Sequence, residues 1–246
     1  MSRQRAQALL CENFGPFGRL DFPYIQMGKI DSLHLFGDTE LMILALYWHN
    51  RGRWKQCLDI GANLGLHSIC MAKLGMYVNA YEPDQEHFGH LLRNTFKNDC
   101  EKLVNLHKQA VHTSDGTARF VRVLDNLTGN HLEGYKQSYG PRTHTIVETV
   151  DCRHLWERAD FAKIDSEGNE ADLVQTMSRE LFSDKFSCVL EVRNVENARI
   201  IYNHCMNNGI NMWAQKTHWS LVKDFEGMPT ANREGSLFLG RRGPWA

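Results

Sequence analysis

Two spacings of apolar residues alternate along this chain. Short runs bounded by turn residues have the length of buried strands: CLDI (57–60), MYVNAYEP (76–83), VNLHKQAV (104–111), FAKID (161–165), CVLEV (188–192), INMWAQ (210–215) and SLFLGRR (236–242). Between them, apolar positions recur every three or four residues, as one buried helix face requires. ELMILALYWHN (40–50) is the first such segment, with Asp38 or Thr39 as its N-cap and a stop near Gly52. The segment after Gly65 puts Leu66, Ile69 and Leu74 on one side and ends at Gly75. Asp84 caps a third, which carries Phe88, Leu91, Leu92, Thr95 and Phe96. Two more follow, through Leu173, Val174, Met177 and Leu181, and through VENARIIYNHCMNN (195–208) up to Gly209. TARFVRVL (117–124) and THTIVETV (143–150) read as added hairpin strands.

This alternation predicts an α/β fold with a seven-stranded, mostly parallel sheet and helices on both faces. One domain spans residues 37–246. Residues 1–36, with NFGPFGRLDFPY at their centre, lack a clear period and read as an N-terminal extension that covers or extends a binding face. DNLTGNHLEGYKQSYGPRTH (125–144) is long, polar and glycine-rich, and a loop of that kind is more often functional than structural.

Composition then narrows the classes. With 28 basic and 29 acidic residues the formal net charge is -1, so no global field draws the chain to nucleic acid or to an anionic membrane. The 7 cysteines are scattered without a C-x-x-C pair, which suggests reduced core thiols and gives no zinc site. MSRQRAQALL has too short an apolar stretch for a signal peptide, and no run approaches a membrane span. The expectation is a soluble, cytoplasmic protein.

Chemistry concentrates at two places. The first is CLDIGANLGLHSICMAKLG (57–75), a strand, an acid, a glycine-rich turn and a helix. Backbone N–H groups at such a turn attract anions. The turn has no Lys or Arg and no G-K-[ST] ending, which removes a phosphate-cradling loop, and its G-x-x-x-G spacing is not the G-x-G-x-x-G of dinucleotide binders. A ligand with its own ammonium and carboxylate near an adenosine fits better. Asp59 would meet the cation, the turn of Gly61, Asn63 and Gly65 the anion, and Glu82 at the end of the second strand the ribose hydroxyls. S-adenosylmethionine has those parts. A tight turn with an incidental acid is the bland alternative.

The second place is KIDSEGNE (163–170). Alternation along a strand puts Lys163 and Asp165 on one face, and an extended continuation would bring Glu167 to it. Ionisable groups leaving a buried strand are costly unless they pair or serve a ligand, so the choice lies between a salt-bridged strand end and a catalytic edge. The histidines form no H-E-x-x-H or other tight ligand pattern, and His131 and His144 merely border the long loop. Tyr135, Tyr139, Trp213 and Trp219 can stack on a sugar, although such residues more often serve packing.

LDIGANLGLHS, AYEP and KIDSEGNE followed by VLEV together resemble the FkbM-type methyltransferases over roughly residues 37–195. The resemblance implies a Rossmann-like class I methyltransferase fold, S-adenosylmethionine as donor, and O-methylation of sugars, glycans or other small hydroxylated metabolites. It places Asp59, Gly61, Asn63 and Gly65 in the cofactor loop, Glu82 at the ribose, and Lys163, Asp165 and Glu167 at the catalytic edge. Ser166 stands where Val is usual and Asn169 where a small residue is common, and neither change removes an acid.

Glu167 or Asp165 is then the candidate base for the acceptor hydroxyl. A divalent ion between Asp165 and Glu191 would also acidify that hydroxyl, but Lys163 can neutralise the same acids, and metal-independent chemistry is the expectation. Two alternatives remain open. Ribose 2'-O-methylation of RNA would reuse Lys163, Asp165 and Glu191, against a charge that gives little phosphate affinity. A non-catalytic S-adenosylmethionine-binding module would keep Asp59 and Glu82 and need no acids at residues 163–167.

Overall fold

The computed structural model describes residues 8–27, 30–124, 129–136, 140–182 and 185–246, and among them the alternation of side chains along β1 (Gln56–Ile60) sets the layering. Cys57 faces one apolar core, while Leu58 and Ile60 face another. The same division runs through β2 (Tyr77–Tyr81), where Val78 and Ala80 oppose Tyr81, and through β4 (Phe161–Ile164), where Phe161 opposes Ala162 and Ile164. The first core is closed by α1 (Asp38–Asn50), α2 (Leu66–Lys73) and α3 (Gln85–Lys97). The second is closed by α4 (Glu170–Gln175) and α5 (Val195–Asn208). A strand buried on both faces reads as an almost continuous apolar run, which is why the short runs were visible in the sequence.

The remaining strands are β3 (Val104–His107), β5 (Ser187–Glu191), β6 (Asn211–Ala214), β7 (Ser220–Leu221) and β8 (Ser236–Gly240). Their order is β7-β6-β8-β5-β4-β1-β2-β3. The five strands from β3 to β5 are parallel neighbours, β8 inserts antiparallel between β5 and β6, and β7 forms a hairpin with β6. The sheet is mostly parallel with helices on both faces, as the pattern predicts. It has eight strands where the sequence suggests seven, because the two-residue β7 is too short to show a period. Gly37 rather than Asp38 stands at the cap of α1, and Asp38 begins the helix. On α3, Asp84 accepts from the N–H groups of Glu86 and His87 as expected, but Leu92 and Phe96 face outward.

VNLHKQAV is two strands. Val104–His107 stays in the main sheet, and Ala110–His112 turns into a second, four-stranded sheet. There it pairs with Arg142–Asp151, which in turn pairs with Gly116–Val123, and His131–Leu132 closes the edge. Ala110, Phe120, Leu132 and Val147 form its small core. The hairpin strands were legible, but their assembly over the mouth of the main sheet was not.

The N-terminal segment packs into the domain. Leu20 and Phe22 join the core beneath α1–α3, and Asn98 at the end of α3 exchanges hydrogen bonds with the Asp21 backbone. None of its described residues borders the cavities described below.

Candidate active site

The turn after β1 is built around backbone contact. Gly61 and Ala62 both donate N–H to the Tyr81 carbonyl at 3.0 Å, tying the turn to the end of β2. Gly61 has φ +75, and a Cβ there would lie 1.8 Å from the Asp165 carbonyl oxygen. Only glycine lets β1 and β4 close on each other at this level. Asn63 is also left-handed, and its N–H donates to Glu82 Oε2 at 2.9 Å. The second Glu82 oxygen accepts from the Asp84 N–H at 2.8 Å. Burial pushes the Glu82 carboxyl up to about 7 despite these two donors.

Beside this turn lies a cavity at the C-terminal ends of β1, β2 and β4. In an open α/β sheet that edge is where ligands bind. Gly61, Asn63 and Glu82 line one side and Asp165, Ser166 and Glu167 another. Phe120, Leu132 and Val111 from the second sheet give it an apolar wall. Five buried polar atoms of its lining residues have no protein partner: Asn63 Oδ1, His87 Nε2, Asn130 Nδ2, Asp165 Oδ1 and Asn169 Oδ1. Unpaired buried polar atoms are costly, so a cavity that collects them suits a polar ligand with an apolar ring.

A second cavity lies on the α1 and α2 side of the same sheet edge. Thr39, Glu40, His67, Lys163, Glu191 and Ser236 border it, and Asp165 lines both cavities. Lys163 reaches Asp165 Oδ2 at 3.2 Å and lies 3.9 Å from Asp59 Oδ1. Burial alone would lower the Lys163 ammonium, but Asp165, Asp59 and Glu40 raise it above its ordinary value. Burial likewise opposes Asp165, yet the Lys163 charge holds its carboxyl below the usual range. Glu191, at the end of β5, is pushed well above that range by burial and then by the Asp165 and Glu170 charges. His67 spans the helices, with Nε2 2.9 Å from Glu40 and Nδ1 2.9 Å from the buried Tyr47 hydroxyl.

The residues singled out in the sequence divide between these surroundings. Gly61, Asn63 and Glu82 line the first cavity, and Gly65 starts α2 at φ +93 behind it. Asp59 is wholly buried under the turn, accepts from Ser68 Oγ at 2.5 Å and lines neither cavity. Lys163 and Asp165 share a face as alternation requires. Glu167 departs from it, because the strand ends at Ile164 and Glu167 itself adopts φ +62. The left-handed turn carries its carboxylate to Lys136, at 3.0 Å, and to Arg193. Burial and the neighbouring Arg193 bring the Lys136 ammonium down to about 8.

His131 Nδ1 donates to the Gly129 carbonyl and His144 pairs with Glu133 at 3.4 Å, and neither borders the two cavities. Tyr135 binds Asp172, Trp213 and Trp219 pack in the core, and Tyr139 lies outside the described residues. Sequence reasoning passed over Glu40, His67 and Ser236 entirely, since each is one polar residue in an otherwise ordinary helix or strand. Among the described residues, no group of three or more His, Cys, Asp or Glu is placed to hold a metal ion. No helix among them is long and apolar enough to cross a membrane.

Comparison with known proteins adds a family. The model of the methyltransferase FkbM domain matches residues 59–206. No curated protein matches the chain. Among solved structures, the N-terminal domain of human METTL16 is 13% identical, covering 91% of this chain and 76% of that one with a TM-score of 0.49. The O-methyltransferase from Bacillus cereus, in complex with SAH, is 10% identical, covering 81% and 79% with a TM-score of 0.45. The precorrin-6y C5,15-methyltransferase from Geobacter metallireducens is 13% identical, covering 80% and 85% with a TM-score of 0.40. None of these likenesses bears on what this chain acts upon.

Proposed function

The chain belongs to the FkbM methyltransferase domain family, and from that membership we propose that it is an S-adenosylmethionine-dependent O-methyltransferase acting on a hydroxyl of a sugar, a glycan or another small hydroxylated metabolite. The observation that carries this reading is the common wall of the two cavities, Asp165, with a space of apolar wall and unpaired polar atoms on one side and a charged polar space on the other. The first cavity fits the donor by its own chemistry: unpaired Asn63, His87, Asn130 and Asn169 atoms, a glycine cradle, and a Glu82 carboxylate able to accept from a diol. Bound there, S-adenosylmethionine supplies a methyl group on a sulfonium, which an acceptor oxygen can displace.

The protein's own tasks are positioning and proton removal. Lys163 keeps Asp165 ionised at the junction of the cavities. Glu167 is a poor proton acceptor, since taking a proton would break its pairs with Lys136 and Arg193. Glu191 has no such ion pair among the described residues, borders the second cavity and has raised basicity, so we assign it the hydroxyl proton. His67, held between Glu40 and Tyr47, fixes the opposite wall.

Two measurements test the reading. Calorimetry with S-adenosylhomocysteine should show binding that Glu82→Ala weakens by roughly 1.5–3 kcal/mol. A screen of extracted glycans and small hydroxylated metabolites should find labelled methyl as an ether. Absence of S-adenosylhomocysteine binding, or label appearing only on nitrogen, overturns it.

A further inference from the structure

The neutral total charge conceals a strongly uneven face at the opposite edge of the sheet. Residues 41–58 and 235–246 contain Arg51, Arg53, Lys55, Arg241 and Arg242 and no acid. The fold brings these two stretches together at the C-terminal end of α1. Asn50 Nδ2 donates to the Pro244 carbonyl at 2.9 Å, and the His49 and Trp245 rings lie 5.5 Å apart. Arg53 is close enough to Arg242 that, after burial, their like charge lowers its guanidinium below the ordinary value. Asp160 is the acid that approaches this edge, and its carboxylate is engaged by the backbone N–H groups of Lys55 and Gln56.

Apolar surface continues from the cations along the same helix. Leu41, Met42 and Trp48 are each about 40% exposed on α1, and Trp245, against His49 near the end of the same helix, is 39% exposed. Leu41, Ala45 and Trp48 form one wall of an open groove, with Phe14 and Pro16 opposite. The Arg51 guanidinium lies 3.5 Å over the Trp48 ring and donates to the Trp48 carbonyl at 2.6 Å, so aromatic and cation are held as one unit. Cations alone attract any polyanion. An aliphatic and aromatic groove continuous with them favours an interface that is charged outside and hydrocarbon within.

We propose that this face docks on the surface of an anionic phospholipid bilayer, with the arginines at the headgroups and Trp48, Leu41 and Trp245 entering the boundary. Reversible attachment of this kind takes two signals together, a basic patch and an apolar insertion, and both are present here. Docking leaves the cavities free, because Glu40 turns from α1 toward His67 at the second cavity, whereas Leu41 and Trp48 lie on the exposed side of the helix.

Co-sedimentation of the full chain with vesicles decides it. Vesicles of phosphatidylcholine mixed with phosphatidylglycerol should carry down the protein at low salt, and phosphatidylcholine alone should not. Reversing two charges in Arg51→Glu/Arg53→Glu should cut the partitioning about tenfold or more, since each cation near such a surface counts for roughly a factor of five. Trp48→Ser should weaken it at unchanged charge. S-adenosylhomocysteine affinity of each variant reports folding, and for a variant that fails to fold, raised salt on the natural chain replaces it, since salt should release the protein. The proposal is overturned by equal sedimentation with neutral vesicles, by binding indifferent to salt and to charge reversal, or by single-stranded RNA binding more tightly than the mixed vesicles at the same salt.

Discussion

The two cavities that meet at Asp165 are made of different material. The first has one wall set by main chain, the Gly61 turn, the amides of Asn63 and Asp84 that hold Glu82 and the strand end at Asp165, opposite an apolar wall from the second sheet. The second is bounded by side chains from five separate segments, among them Glu40, His67, Lys163, Glu191 and Ser236. Backbone geometry cannot be varied without disturbing the sheet, whereas side chains on helices and strand ends can be exchanged singly. The first cavity is thus suited to a ligand that stays the same across a family, and the second to one that differs from member to member.

The sharpest way to break this contrast is at Glu191. Glu191→Gln should reduce methyl transfer to an acceptor found in the screen by about 10² to 10⁴-fold, the usual contribution of a general base, while S-adenosylhomocysteine binds as before. Because burial and neighbouring acids raise the Glu191 carboxyl, the natural rate should climb with pH as that group ionises, and the variant's profile should be flat. Glu167→Gln should instead lose less activity and keep the pH profile. A normal rate in Glu191→Gln with loss in Glu167→Gln would return the base to the turn.

A smaller effect is expected from the backbone side. Gly61→Ala forces a left-handed backbone on a residue with a side chain and drives its Cβ into the Asp165 carbonyl. Strain and overlap together should cost about 2–4 kcal/mol of stability. Chemical denaturation measures that loss, and S-adenosylhomocysteine affinity should fall with it, because Asp165 moves. A variant as stable as the natural chain would mean that the close approach of β1 to β4 is not a constraint.

The same contrast explains what could be read from the sequence. LDIGAN, YEP and KID lie in contiguous segments whose local conformation is the function, so the turn, Glu82 and the Lys163–Asp165 pair were legible by spacing alone. Glu167 was misplaced because alternation was extended one step past Ile164, where a left-handed residue reverses the chain. The register of Asp59 with Lys163 inside the sheet could not be read from spacing, because it depends on β1 pairing with a strand about a hundred residues away. Glu40 and His67 are brought to Glu191 only by packing of α1 and α2 on β4 and β5, and no local pattern marks those two, whereas Glu191 was legible at a strand end beside Asp165. The second sheet was missed for the same reason, since its strands pair across long intervals of sequence.

The smallest expected effect separates a cavity carboxylate from a purely structural one. Burial pushes both Glu82 and Glu170 up to about 7. Glu82 faces the first cavity, whereas Glu170 is turned inward to accept from the Ser166 and Gly168 N–H groups at the start of α4. Both folded values lie above the ordinary glutamate value of 4.5, so the proton is held more tightly in the fold than in the unfolded chain. Their contribution to stability is therefore full below pH about 4.5 and is lost as pH rises through about 7, at no more than about 1.4 kcal/mol per pH unit for each group. Thermal unfolding of the ligand-free chain between pH 5 and 7.5 should show this decline, and either Glu82→Gln or Glu170→Gln should flatten it by about half. Ligand affinity should tell the two apart. A diol donating to Glu82 favours its ionised form, so S-adenosylhomocysteine should bind more tightly as pH rises, by up to about tenfold per unit below 7. Glu170→Gln should keep that dependence and Glu82→Gln should lose it. Loss in Glu170→Gln alone would mean that the main chain around residues 166–168, rather than the Glu82 carboxylate, senses the proton for the first cavity.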